Sequence, residues 1–95
     1  MYYVYILRSS KSNIFYYGFT EDLKKRFREH NIGKSKFTKG HIPWALVFYC
    51  VFIDKQKAKD FEQYLKSGSG KAFAYKRLVA FAKDVKEDEL GAPKS

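Results

Sequence analysis

Two short runs near the start of the chain, centred on Tyr3-Val4-Tyr5 and Tyr16-Tyr17-Gly18, alternate apolar with other residues and are rich in Tyr, Val, Ile and Phe. Between them stand Ser9, Ser10, Lys11, Ser12 and Asn13, a cluster of turn formers. Alternation broken by such a cluster predicts a β-hairpin. Side chains of a strand alternate faces, so Tyr3, Tyr5 and Leu7 share one face of the first strand, and Ile14, Tyr16 and Gly18 share one face of the second. Two phenols, Tyr5 and Tyr16, can then meet across the hairpin. A buried tyrosine needs a partner for its hydroxyl, so the pair reads either as a hydrogen-bonded core or as part of a site.

The pattern then changes period. Thr20 followed by Glu21 and Asp22 reads as an N-cap and an acidic first turn, and predicts a helix from about Glu21 to His30 ended by Asn31 and Gly33. At about 100° per residue, Leu23, Arg26, Phe27 and His30 lie on one face, and Lys24, Lys25 and Arg28 on the other. An arginine and a histidine beside an apolar stripe need a partner or a polar cleft. Residues 33–43 form a polar loop with Lys34, Lys36, Lys39 and an interleaved Phe37 but no acid. Such a loop is either simply solvated or suited to phosphate contact.

Trp44 to Ile53 carries no charge and reads as the central strand, apolar on both faces and covered on both sides. Lys55 to Lys66 is a second helix with Asp54 as N-cap and an apolar stripe of Ala58, Phe61 and Leu65; Glu62 falls within that stripe. An acid here and a cation on the first helix make either a structural ion pair, Arg26 with Glu62, or the two sides of a site. Ser67-Gly68-Ser69-Gly70 is expected to break the helix, and Lys71 to Ala82 resumes helical spacing through Phe73, Leu78 and Phe81. From about Asp84 charges mix and apolar residues are few, which predicts a flexible tail over 84–95 after one domain over 1–83.

Charge sharpens the picture. Lys and Arg total 19 against 10 Asp and Glu, a net charge of +9, and a small protein this basic is drawn to polyanions, nucleic acid first. Cys50 is the single cysteine, which excludes an internal disulfide and any multi-cysteine zinc site. With no signal-peptide pattern and no apolar run of the roughly 20 residues that span a bilayer, the expectation is a cytoplasmic protein without a membrane partner.

In the order Tyr3-Val4-Tyr5, Tyr16-Tyr17-Gly18, Arg26, His30 and Glu62, the chain resembles the GIY-YIG nuclease family, in particular its small single-domain members. The resemblance covers about Tyr2 to Leu78. Tyr3 stands where the name-giving triplet begins with glycine, and Asn13 and Asn31 are the only asparagines, so the last-helix asparagine of some relatives has no counterpart. The resemblance implies an α+β fold, with a small three-stranded, mainly antiparallel sheet flanked by helices in the order β-β-α-β-α-α. It also implies divalent-metal-dependent hydrolysis of DNA phosphodiesters, with Mg²⁺ or Mn²⁺ as cofactor and roles of the repair and recombination kind. By that pattern Tyr5 would orient or deprotonate the water, His30 would accept its proton, Arg26 would hold phosphate oxygens, Tyr16 would bond water or phosphate, and Glu62 would hold the metal. An unperturbed phenol titrates near pH 10, so Tyr5 would need neighbouring cations to lower it. Gly18 is the structural glycine of the motif. Lys24, Lys25, Arg28, Lys34, Lys36, Lys39 and Lys71 would grip the DNA backbone, and branched or nicked DNA or a targeting protein would supply selectivity. The alternative is a nucleic-acid-binding module that keeps the fold without cleaving.

Overall fold

The structure is a computed structural model that describes residues 1–80. The expected tail over 84–95 and the helical contact assigned to Phe81 lie outside the described residues.

Element order is β1 (Tyr2–Ser9), β2 (Phe15–Thr20), α1 (Leu23–Asn31), a 3₁₀ turn (Thr38–His41), β3 (Trp44–Phe52), α2 (Lys55–Lys66), α3 (Gly68–Ala74) and a π-helical turn (Tyr75–Val79). The three strands form one antiparallel sheet in the order β2-β1-β3. The fold is therefore the α+β class expected, and the hairpin closes through the predicted turn, with Asn13 in the left-handed region at φ 55°. Arg8 Nη2 donates to Asn13 Oδ1 at 2.8 Å across that turn.

The expected central strand is at an edge. β1 holds the middle, where Val4, Tyr5, Ile6 and Leu7 are buried in succession because both faces are covered. β3 pairs with β1 alone, and its outward residues Tyr49, Val51 and the following Ile53 are exposed, Ile53 to 84%. An uncharged aromatic run thus mimicked a two-sided strand while one of its faces meets water.

Each face of the sheet carries its own core. Val4 and Ile6 pack with Ala58 and Leu65 of α2, Ala74 of α3 and Val79 beyond it. On the other face Tyr5, Leu7 and Trp44 pack with Tyr16 of β2 and with Leu23 and Phe27 of α1. The sheet separates α1 from α2, and the cleft described below forms where the two layers come together at the β2 edge.

Helix boundaries follow local chemistry, with two corrections. α1 begins at Leu23, not Glu21, because Asp22 is the cap, accepting from Lys25 N at 3.1 Å; Thr20 ends β2, and its hydroxyl accepts from Asp22 N. Asn31 stays helical, and of the two expected end residues Gly33, at φ 85°, is the one in the left-handed conformation. α2 runs over the expected residues with Asp54 accepting from Lys57 N at 2.8 Å. The second correction concerns Ser67 to Gly70: the helix breaks there as expected, but at Ser67 alone, and Gly68 to Gly70 already belong to α3. Ser67 Oγ donates to the Tyr64 carbonyl and accepts from Gly70 N, ending one helix and capping the next. Gly70 is buried against the Tyr64 carbonyl, where a Cβ would collide. Phe73, expected on the apolar stripe, is 40% exposed, and Gly70, Ala74 and Val79 make the contact instead.

Candidate active site

A cleft of about 360 Å³ opens at the β2 edge, lined by Tyr5, Tyr16, Gly18, Phe19, Arg26, Lys59, Glu62 and Gln63. These residues come from β1, β2, α1 and α2. Four of the five expected site residues, Tyr5, Tyr16, Arg26 and Glu62, thus line one cavity, and His30 stands behind it.

Gly18 is what lets the floor reach the cleft. It lies opposite Tyr5 in the β1–β2 register, and a Cβ built on it would run into the Tyr5 ring and hydroxyl. The phenol of the central strand passes over the edge strand through that gap. Tyr16 pairs with Leu7, one step along the same face, and its ring centroid is 6.4 Å from that of Tyr5.

Behind the phenol runs a buried chain of polar groups. Tyr5 Oη is 2.8 Å from His30 Nε2, and His30 Nδ1 is 2.8 Å from Thr38 Oγ1. Burial, followed by repulsion from Arg26, pushes the His30 pKa down to about 4, so the imidazole is neutral at pH 7. Burial pushes the Tyr5 phenol up, and Arg26 only partly offsets that rise. The lowering of Tyr5 that its expected role called for is therefore not produced by this chain's own cations: desolvation of a phenolate outweighs one guanidinium. In the tautomer with the proton on Nδ1, the protonated phenol of Tyr5 donates to Nε2 and Nδ1–H donates to Thr38 Oγ1. The Thr38 carbonyl in turn accepts from the Trp44 indole at 2.9 Å.

The ion pair Arg26–Glu62 does not form. Arg26 Nη1 contacts Glu29 Oε1 at 3.1 Å on α1, and Glu62 Oε2 contacts Lys66 Nζ at 2.6 Å on α2. Each charge is held by its own helix, and both face the cleft.

Lys24, Lys25 and Arg28 are exposed on α1; Lys34, Lys36 and Lys39 are exposed in the following loop; Lys71 is exposed on α3, which packs against α2. Several contributors escaped the sequence reading. Lys59 and Gln63 line the cleft beside Glu62, and helical spacing could have found them at one turn or less from that acid. Thr38 gave no local signal, because its partner His30 is eight positions away. Asn31 serves as a brace, its amide donating to the Trp44 carbonyl and accepting from Trp44 N.

Among the described residues no group of three or more His, Cys, Asp or Glu is placed to hold a metal ion. A lone carboxylate at the wall of an open cleft fits Mg²⁺ or Mn²⁺, which keep several waters and take substrate phosphate oxygens. It does not fit Zn²⁺, which takes three or four protein ligands. No helix among the described residues is long and apolar enough to cross a membrane.

Comparison with known proteins gives the family. The GIY-YIG catalytic domain matches residues 1–76, and the chain belongs to the GIY-YIG family. Members of that family are endonucleases that act on DNA and typically use divalent metals. More narrowly, the chain is similar to UPF0213 proteins, a small GIY-YIG group. It is 42% identical over 67 residues to one from Clostridium perfringens, covering 70% of this chain and 71% of the relative. With one from Streptococcus pyogenes serotype M5 it shares 40% over 65 residues, 67% of this chain and 70% of the relative. The solution NMR structure of a UPF0213 protein from Bacillus halodurans matches with a TM-score of 0.54 and 30% identity, over 92% of this chain and 97% of that one.

Proposed function

We propose that this protein is a divalent-metal-dependent endonuclease that hydrolyses DNA phosphodiester bonds, structure-selective or weakly selective, of the kind used in repair and recombination. The convergence of Tyr5, Tyr16, Arg26 and Glu62 on one cleft, with Arg26 and Glu62 unpaired to each other, supports this reading. A structural ion pair would have spanned the gap; here the gap is open to a phosphate.

In this reading the guanidinium of Arg26 holds non-bridging phosphate oxygens and stabilises the charge that builds on them. Tyr16 hydrogen-bonds the attacking water. As the water oxygen bonds to phosphorus and the bond to the departing sugar oxygen breaks, the water's proton passes to Tyr5 Oη and the phenol's own proton passes to His30 Nε2. This relay needs no free phenolate, which suits a phenol whose pKa is raised. Thr38 holds the imidazole at Nδ1, and in the tautomer with the proton there Nε2 is the acceptor. Glu62 would hold the metal, which when bound supplies Lewis acidity and charge for the leaving oxygen. Lys24, Lys25, Arg28, Lys34, Lys36, Lys39 and Lys71 provide sequence-independent contact with the DNA backbone.

The test is incubation with nicked, branched and single-stranded DNA, with and without Mg²⁺ or Mn²⁺, beside Arg26→Ala and Glu62→Gln. Metal-dependent cleavage lost in both variants is expected. Binding without cleavage on every substrate would instead establish the non-cleaving module, and cleavage unchanged in both variants would place the activity elsewhere.

A further inference from the structure

Phe37 is unusual for a residue in a basic loop: it is 56% exposed, yet its ring is ordered by its neighbours. It stacks on Tyr16 with centroids 6.1 Å apart and planes at 26°, and its other contact is the His41 ring at 5.1 Å. His41 in turn meets the Trp44 indole edge-on at 6.2 Å, and Tyr16 lies 5.0 Å from the His30 ring. The backbone on which Phe37 sits is fixed by the next residue, since Thr38 is bonded through its side chain to His30 and through its carbonyl to Trp44. His41 is held as well, with Nδ1 2.6 Å from Ser12 Oγ. Lys34, Lys36 and Lys39 stand exposed on the same loop.

Exposing an aromatic ring to water gains the fold little, and an exposed ring stacked on a cleft residue, on a loop that carries three exposed lysines, is what single-strand binders use to stack a base while cations follow the backbone. Bases in an intact duplex present no free face. We propose that Phe37 is a base-stacking platform that selects DNA in which a nucleotide beside the scissile phosphate is unpaired, as in a flap, a gap or a single strand. Tyr16, shared by the platform and the cleft, sets the step between the stacked base and the phosphate being cut. This proposal rests on the nuclease reading and adds to it the feature of the substrate that is recognised.

The experiment measures binding in EDTA, where no cleavage occurs, of a short single-stranded oligonucleotide and of the duplex of the same sequence, with the wild type, Phe37→Ala and Phe37→Trp. Phe37→Ala is expected to weaken single-strand binding about 5- to 150-fold, the range for loss of one stacked base, and to leave duplex binding unchanged. Phe37→Trp is expected to retain it. A 2-aminopurine walked along the strand should be quenched at one or two positions by the wild type and at none by Phe37→Ala. Equal weakening of both DNAs, or no weakening of either, would overturn the platform while leaving the nuclease reading intact. Absence of DNA binding by the wild type would overturn both.

Discussion

Tyr5 and Gly18 face each other across the β1–β2 ladder so closely that the phenol occupies the space where a side chain on the edge strand would be. The glycine of the motif is thus the doorway through which a residue of the central strand reaches the cleft. Gly18→Ala is expected to lower stability by about 1 to 3 kcal/mol, the usual cost of overpacking a tight site. Cleavage should fall with it, because the ring can only move off His30. Urea unfolding and a cleavage assay on the same preparation check both.

Removing the Tyr5 hydroxyl separates packing from chemistry. Tyr5→Phe keeps the ring but leaves His30 Nε2 without its partner, at a cost of about 1 to 3 kcal/mol for a buried unsatisfied group. If the phenol relays a proton, the cleavage rate should fall about 10²- to 10⁴-fold. Single-turnover rates beside melting curves distinguish this from a purely structural loss, which would lower the melting point and spare the rate.

Thr38→Val tests the imidazole's orientation. The substitution keeps volume and removes the hydroxyl bonded to His30 Nδ1, so the imidazole loses the contact that orients it. The expected outcome is a reduced cleavage rate with unchanged DNA affinity, and partial rescue by Thr38→Ser, measured as separate kcat and KM effects.

Stability should depend on pH through His30. Its pKa is about 6.5 in an unfolded chain and about 4 when folded, so between these values the unfolded state binds the extra proton. Stability from this group is complete above pH 6.5 and falls as pH drops to 4, by at most about 3 kcal/mol. Chemical denaturation at several pH values should show this slope, and His30→Gln should flatten it.

Affinity for duplex DNA should fall with salt. Replacing Lys34, Lys36 and Lys39 together by Ala should reduce the magnitude of the log–log slope by about 2 to 3 if all three neutralise phosphates. An unchanged slope would show that the loop is merely solvated.

How much was legible depended on whether the information is local. α2 was readable to its ends because Asp54 caps it and its apolar stripe is regular. The start of α1 was ambiguous, since Thr20, Glu21 and Asp22 offer several oxygens and only the bend after β2 decides that Asp22 caps. The placement of β3 at an edge could not be read from its own composition. The four consecutive buried residues of β1 are the better mark of a central strand. In the site, the Tyr5, Tyr16, Arg26 and Glu62 set came from the family motif, and their shared cleft required the fold. Thr38 and Asn31 were invisible because each acts on a residue far along the chain through a side chain with no periodic signature.

The position of β1 in the middle of the sheet also orders events during synthesis. β2 follows it immediately, but its other neighbour β3 ends at Phe52, and Glu62 arrives only with α2. An emerging chain can close the hairpin early, yet the loop closure that seats β3 waits for some forty residues to leave the ribosome. The proposed metal ligand is the last of the five candidate site residues to be made, so the candidate site can be completed only after every strand of the sheet has been synthesised.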